Sequence, residues 1–485
     1  MNNHESIFNN PIPVSIQRKA LKAKAKQLRK FGDDRATDYP LVARFNPTIG
    51  SHLGTYNLEI GTQGLPIDPA KGVIIGNIRM GFGHYRIAMA IASAAHSMGL
   101  TPYWFDLNAY TQTTGGKLIA HLNGLYSMGS RWSQKYPLFN TLFWEPYSSQ
   151  AFRQLKYNAQ DQVMTQLMTP IYTHLPKDMP FIGTHVWPTQ AAVHAGMKRV
   201  INVIPDNWPM ALHLAEGSLH TVQTPSSYLG YLTLNGMDPQ KTLNPMPADQ
   251  IVTTGHYIDH ELLMDLSGDC AKRMARLEKG EALRILMTIG GAGAQQDLYA
   301  HLIKDLLPQV EKGKVVLLIN VGDHANVWKA LIQRVPALSE RSVQHFDAWD
   351  ETVHFANKLL SGPVSGIHAF YHQDIFAAVY ATNLLMRACD VLVTKPSELA
   401  FYPVPKLMIK RVGGHEAWGA IRAAEIGDGT IECDTPKRIS TMMNILLNEP
   451  DVLRSMNESI LKAQAAGVYD GAYRVVQLAI NTPQP

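Results

Sequence analysis

The chain has 485 residues, 46% hydrophobic and 17% charged, which excludes a disordered or fibrous protein and exceeds one ordinary core, so two domains are expected. A net charge of +4 gives no whole-protein case for nucleic-acid binding, and the 3 cysteines, Cys270, Cys389 and Cys433, match neither a disulfide framework nor a zinc spacing. The opening MNNHESIFNNPIP lacks the pattern of a signal peptide. No apolar run reaches the roughly 18 residues of a spanning helix, so a cytoplasmic protein is expected.

In chain order, the first predicted element is a basic helix carrying Arg18, Lys19, Lys22, Lys24, Lys26, Arg29 and Lys30, with a thin apolar face of Ile16, Ala20, Leu21 and Leu28. Such a helix is either simply solvated or rests on anionic lipid. Short apolar runs bounded by Gly, Pro or Asp then predict strands at 72–77, 101–106, 181–185, 199–206, 219–224 and 250–255. Helices are expected at 84–98 and 189–197, and a mostly helical, aromatic stretch at 111–175. A polar, helix-prone segment, 257–282, holds the linker. Strands restart at 284–291, 314–322, 342–347, 390–396 and 405–412, and a last helix is expected near 450–465.

Strands alternating with helices predict an α/β protein of two doubly wound Rossmann-like domains facing across a cleft. The expected divisions are an N-terminal extension at 1–60, a first domain at 61–265, a second at 275–450, and a C-terminal segment, 451–485, returning to the first domain.

Two glycine-rich turns and one polar turn are the candidates for chemistry. In GNIRMGFGHYR, Gly76, Gly81 and Gly83 let the backbone bend between a buried strand and a small-residue helix. The spacing is neither a P-loop nor a dinucleotide fingerprint. His84 is there either to complete a tight turn or to face a ligand at the C-terminal edge of the sheet, where open α/β sheets bind. In IGGAGAQQDL, Gly290, Gly291 and Gly293 make a second such turn into a helix, whose N-terminus suits an anion. In TKPSELAF, Lys395, Ser397 and Glu398 lead into another helix. His256 is a further histidine of interest. HAFYHQD places His368 and His372 at i, i+4 with Asp374, a metal spacing on a helix, but no third ligand is evident and no metal is expected.

The order of these pieces resembles the two-domain GT-B glycosyltransferases, particularly the N-acetylglucosaminyltransferase that makes lipid II and the monogalactosyldiacylglycerol synthases. The resemblance rests on GFGHYRIAMAIASA, VIPDNWP followed by TVQTPSSY, IGGAGA, and ACDVLVTKPSELAFYPVPKLMI running on to GGHEAWGA, together spanning residues 70–430. The chain differs in having His415, Glu416 and Gly419 where the family often has Gln or Asn, and in a long insert at 361–386.

The resemblance implies an inverting, metal-independent transfer of a sugar from a nucleotide-diphosphate sugar, a UDP-sugar first among them, to an acceptor hydroxyl, with a lipid among the acceptor candidates and no other cofactor. No D-x-D motif occurs, and Lys406 and Ala424 stand where the second glutamate of a retaining enzyme would fall. His84 would be the base or position the acceptor, with Asp206 the rival base and Gly81 and Gly83 forming the acceptor-side loop. The Gly290–Gly293 turn and the amides from Lys395 to Ser397 would hold the diphosphate. Glu398 would bind the ribose, His415 and Glu416 would face the sugar, and Lys395 or Arg411 would add positive charge. The basic helix at 16–30 would make peripheral contact with the inner face of a membrane. The alternatives are a sugar-nucleotide 2-epimerase or hydrolase of the same fold, or a non-catalytic protein that binds nucleotide sugars.

Overall fold

The computed structural model describes residues 5–135, 151–290, 293 and 295–481. The chain divides into two compact units, the first formed by 1–80, 87–257 and 470–485, the second by 81–86 and 258–469.

The first unit begins with a short antiparallel hairpin, β1 (Ser6–Ile7) and β2 (Asn10–Pro11), and the basic helix Val14–Phe31. Its sheet contains β3 (Leu41–Phe45), β4 (Tyr56–Ile60), β5 (Gly72–Asn77), β6 (Thr101–Asp106), β7 (Phe181–Gly183), β8 (Val200–Val203), β9 (Leu219–Val222) and β10 (Ile251–Thr253). The order is β10-β9-β8-β7-β5-β6-β4-β3, parallel except for the β3–β4 pair. The central strand β5 is buried along its whole length, which is why GVIIGN reads as a continuous apolar run instead of an alternating one. Gly76 is required there, because a Cβ would stand 2.2 Å from the Phe181 ring on the neighbouring strand. The helix Gly471–Asn481 belongs to this unit, where Arg474 Nη1 donates to the Thr254 carbonyl at 3.0 Å.

The second unit has an all-parallel sheet of β11 (Leu283–Thr288), β12 (Val315–Asn320), β13 (Ser342–Phe346), β14 (Ile367–Tyr371), β15 (Val391–Thr394) and β16 (Lys406–Met408), in the order β13-β14-β12-β11-β15-β16. The chain leaves β11 to one side, toward β12, and returns on the other side at β15. That reversal parts the loops at the C-terminal ends of β11 and β15, the place where open α/β sheets take ligands. The chain is therefore α/β, with two Rossmann-like units.

Several elements differ from the sequence expectations. β3 and β4 have no counterpart in the expected strand set, because two five-residue strands with mixed burial leave little periodic signal. The supposed insert at 361–386 is a regular β-α piece, β14 followed by the helix Ile375–Met386. His368 consequently sits in a strand and not on a helix face. His345 and His368 lie 3.2 Å apart, while His372 Nε2 meets Thr352 Oγ1 at 3.1 Å. The helix expected at 189–197 starts earlier, at Val186, because His185 caps it by accepting the Trp187 amide. Among the described residues no group of three His, Cys, Asp or Glu side chains converges as metal ligands, and no helix is long and apolar enough to cross a membrane.

One buried pair ties this unit together. The Asp390 side chain, 2% exposed, accepts from Arg276 Nη2 at 2.7 Å and from the Arg284 amide at 2.8 Å, joining the helix Leu266–Glu278 to β11. Asp390→Ala strands a buried guanidinium, so urea denaturation should show a loss of about 3–5 kcal/mol. A loss below about 1 kcal/mol, the worth of an exposed pair, would show that the pair is not the tie described.

Candidate functional site

At the switch between β11 and β15, the second unit has a small cavity lined by Phe82, Arg86, Thr288, Ile289, Gly290, Asn320, Thr382, Thr394, Lys395, Ser397, Glu398 and Leu399. Two of its walls are the turns singled out from sequence. β11 runs into Gly290, where a Cβ would stand 3.0 Å from the Lys395 side chain, so any larger residue would make the lysine give way slightly. β15 runs into Lys395–Glu398, with the Ser397 amide donating to the Lys395 carbonyl at 2.8 Å.

The glycine-rich segment 81–86 forms another wall and counts with this unit. Gly81 has φ +85°, a left-handed conformation that favours glycine. A Cβ on Gly83 would stand 3.2 Å from Glu398 Oε2. Phe82 stacks on the His324 ring at 5.7 Å between centroids and fills the space above Gly322.

Arg86 follows one turn into the helix Gly83–Ser97 and is only 2% exposed. Its Nε donates to Glu398 Oε1 at 3.3 Å, while Nη1 donates to the Val379 carbonyl at 3.2 Å and to Asn383 Oδ1. Asn383 Nδ2 in turn donates to Asp259 Oδ1 at 2.9 Å, and the Tyr402 hydroxyl donates to Asp259 Oδ2 at 3.0 Å. Burial, with Glu261 adding to it, pushes the Asp259 carboxyl up to about 7, against the hydrogen bonds of Tyr402 and Asn383 and the charge of Arg86.

Lys395 has its own carboxylate. Its Nζ pairs with Glu416 Oε1, and Glu416 Oε2 accepts the Val412 amide at 2.6 Å. Burial pushes the Glu416 carboxyl up, but Lys395, with His415 nearby, holds it below its usual range. Each cation at the cavity is thus already matched by an acid.

Of the residues singled out from sequence, the fold therefore gathers Gly83, Gly290, Lys395, Ser397, Glu398 and Glu416. His84 is half-buried in the first turn of its helix, and Gly81 lies just ahead of it. Gly293, at φ +60°, packs toward Val327, and His415 is half-buried beside Glu416; neither lines the cavity. Gly291 lies outside the described residues. Arg411 is outward, paired with Glu432 at 2.8 Å. Asp206 belongs to the first unit, held by His213 Nε2 at 2.9 Å. Of the aromatic stretch, Trp104 and Tyr110 are buried, whereas the side chains of Tyr126, Trp132, Tyr136, Phe143, Trp144 and Tyr147 lie outside the described residues.

Sequence reasoning missed Arg86, Phe82, Asn320 and Thr382. Arg86 left a signal, a single cation inside the apolar run HYRIAMAIASA, since such a charge is buried only when paired. A larger groove, of ≈ 910 Å³, runs along β13 and the helix Trp349–Ser361 and shares no lining residue with this cavity.

Fold and site together define a Rossmann-like α/β protein whose second sheet has a cation-bearing cavity at its switch point. Residues 6–233 match the family model described as a domain of unknown function (DUF6937), and residues 246–480 match a second such model (DUF6938). No curated protein matches the chain. Among solved structures the chain is similar to the UDP-GlcNAc 2-epimerase from Neisseria meningitidis bound to UDP-GlcNAc, with 13% identity and a TM-score of 0.43 over 85% of this chain and 100% of that one. It is similar also to S. aureus MnaA with UDP, at 11% identity and TM-score 0.46 over 85% and 99% of the two chains. An α,α-trehalose-phosphate synthase (UDP-forming) from Burkholderia vietnamiensis gives 12% identity and 0.41 over 84% and 99%.

The environment of Asp259 makes a pH prediction. Its carboxyl is raised from an unfolded value of 3.8 to about 7 by burial, so between these values the folded chain binds the extra proton. The stabilisation is complete below the unfolded value and is lost as pH rises toward 7. Chemical denaturation from pH 4 to 8 should show this decline, and Asp259→Asn should flatten it. An unchanged slope in the variant would remove Asp259 as its source.

Proposed function

We propose that the chain is an inverting, metal-independent glycosyltransferase that moves a sugar from a nucleotide-diphosphate sugar to an acceptor hydroxyl. What carries this reading is the meeting, at one switch point, of the Gly290 turn, the Lys395–Glu398 turn and the glycine-rich segment that holds His84. A departing diphosphate needs fixed positive groups, and the turn amides with Lys395 supply them. Glu398 has the acceptor oxygens to take a ribose diol, with His415 and Glu416 on the sugar side. His84 is the base that takes the acceptor proton, and Asp206, oriented by His213, is its rival.

A lipid acceptor is part of the proposal. On the helix Val14–Phe31, Ala20 alone is fully buried, while Arg18, Lys19, Lys22, Lys26, Arg29 and Lys30 are exposed, with Leu21 47% exposed among them. That face suits an anionic bilayer surface.

The first test is thermal shift against UDP, GDP, TDP, CDP and ADP with their common sugars. One diphosphate should stabilise selectively, and Glu398→Ala should abolish the shift; no shift with any of them would sink the nucleotide-sugar reading. His84→Ala should then lower transfer by about 10²–10⁴-fold with nucleotide affinity unchanged. Turnover of the UDP-sugar with no acceptor present would instead select the epimerase or hydrolase. The protein should also sediment with vesicles containing anionic phosphatidylglycerol, and lose this binding on deletion of residues 14–32. Sedimentation unaffected by the deletion would remove the helix as the membrane contact.

A further inference from the structure

The cavity holds two cations, and both are masked from within. Arg86 is held by Glu398, and Lys395 by Glu416. The space left is only ≈ 10 Å³, room for about one water, so no ligand of nucleotide size enters without side-chain movement.

Arg86 is not fully used by its partners. A guanidinium has five N–H donors. Those of Nε and Nη1 go to Glu398, Val379 and Asn383, while Nη2 has no hydrogen-bond partner among the described residues. The Nη2 donors are thus not engaged by Glu398, Val379 or Asn383, and are left for an anion that enters the cavity Arg86 lines. That cavity also presents Lys395, a second cation suited to a negative charge.

We propose that Arg86 is an exchangeable anion receptor: a diphosphate-class anion draws its guanidinium away from Glu398, and the freed Glu398 carboxylate becomes available to hydroxyls. This rests on the nucleotide-sugar reading for the identity of the ligand, but the exchange itself does not. Arg86 is paired at each stage, with Glu398 before the anion arrives and with the anion afterwards, while the freed Glu398 carboxylate is left to compete for it or to take a ligand's hydroxyls. Asn383 and the Val379 carbonyl keep the guanidinium in place during the exchange, since they hold Nη1 and not the edge that faces Glu398.

The consequence is unusual for an acid in a binding site. Removing the Glu398 charge should improve binding of a bare anion while spoiling that of a ribose-bearing one. The probe is inorganic pyrophosphate, titrated by calorimetry into the full chain. Glu398→Gln should bind it about tenfold more tightly than the unmodified chain, the worth of one charge-assisted hydrogen bond no longer competed for. Mere relief of repulsion would give a similar gain, so the cycle is closed with Arg86→Gln and the double variant. If Glu398 acts by holding Arg86, its gain disappears in the Arg86→Gln background. A gain that persists there, no gain at all, or no pyrophosphate binding by any variant would each overturn the proposal.

Should Arg86→Gln fail to fold, Arg86→Lys replaces it. An ammonium lacks the rigid planar fork that meets Glu398 and Asn383 along separate edges, so the gain should shrink. Pyrophosphate behaving as expected while no nucleoside diphosphate binds would defeat the nucleotide-sugar reading and leave the exchange standing.

Discussion

A guanidinium taken out of water has to be compensated, and Arg86 is the point at which that requirement organises the second unit. It draws on Glu398 after β15 and on Asn383 and the Val379 carbonyl from the helix Ile375–Met386. Asn383 passes the constraint to Asp259, and Asp259 to Tyr402. Residues far apart in the chain are fixed against one another by a single buried network, whose members polarise each other in a low dielectric. Glu398 is therefore held in place by interactions that begin outside its own turn.

Topology puts this network where chemistry can use it. The sheet order β13-β14-β12-β11-β15-β16 parts the loops after β11 and β15. Gly290 gives Lys395 room, and Gly83 gives Glu398 room, each because a Cβ would press on the neighbouring side chain. The same economy appears in the first unit, where Gly76 lets Phe181 lie flat against β5. Glycine at these places serves close approach more than flexibility.

The two cation–acid pairs give the site its character. Lys395 with Glu416 and Arg86 with Glu398 are locally neutral, so the cavity is stable without a ligand yet contains the charges a diphosphate would need. Glu416 shows how firmly one such pair is set, since it also accepts the amides of Val412 and Gly413 at 2.6 and 3.3 Å. In our proposal Arg86 is the more exchangeable partner, because its Nη2 is not engaged by Glu398, Val379 or Asn383.

Much of this was legible in the residues themselves. Apolar runs such as GVIIGN and RILMT are strands because a parallel sheet is buried on both faces, and that alone determined the α/β class and most of the sheet order's ingredients. The glycine turns at 81–83 and 290 and the Lys395–Glu398 turn were visible because glycine and polar residues directly after such runs have few other uses. Local sequence could not reveal β3 and β4, whose short mixed strands carry little period, nor β14, whose histidines mimic a helical spacing. It also could not say that Arg86, and not His84, would line the cavity, or that Glu398 would already have a partner. Those facts depend on which elements the sheet topology brings together across 312 residues of sequence separation, a long-range pairing no local pattern encodes. Sequence by itself determined the strands, the turns and the residue types available to the site; only the tertiary structure decided which charge meets which.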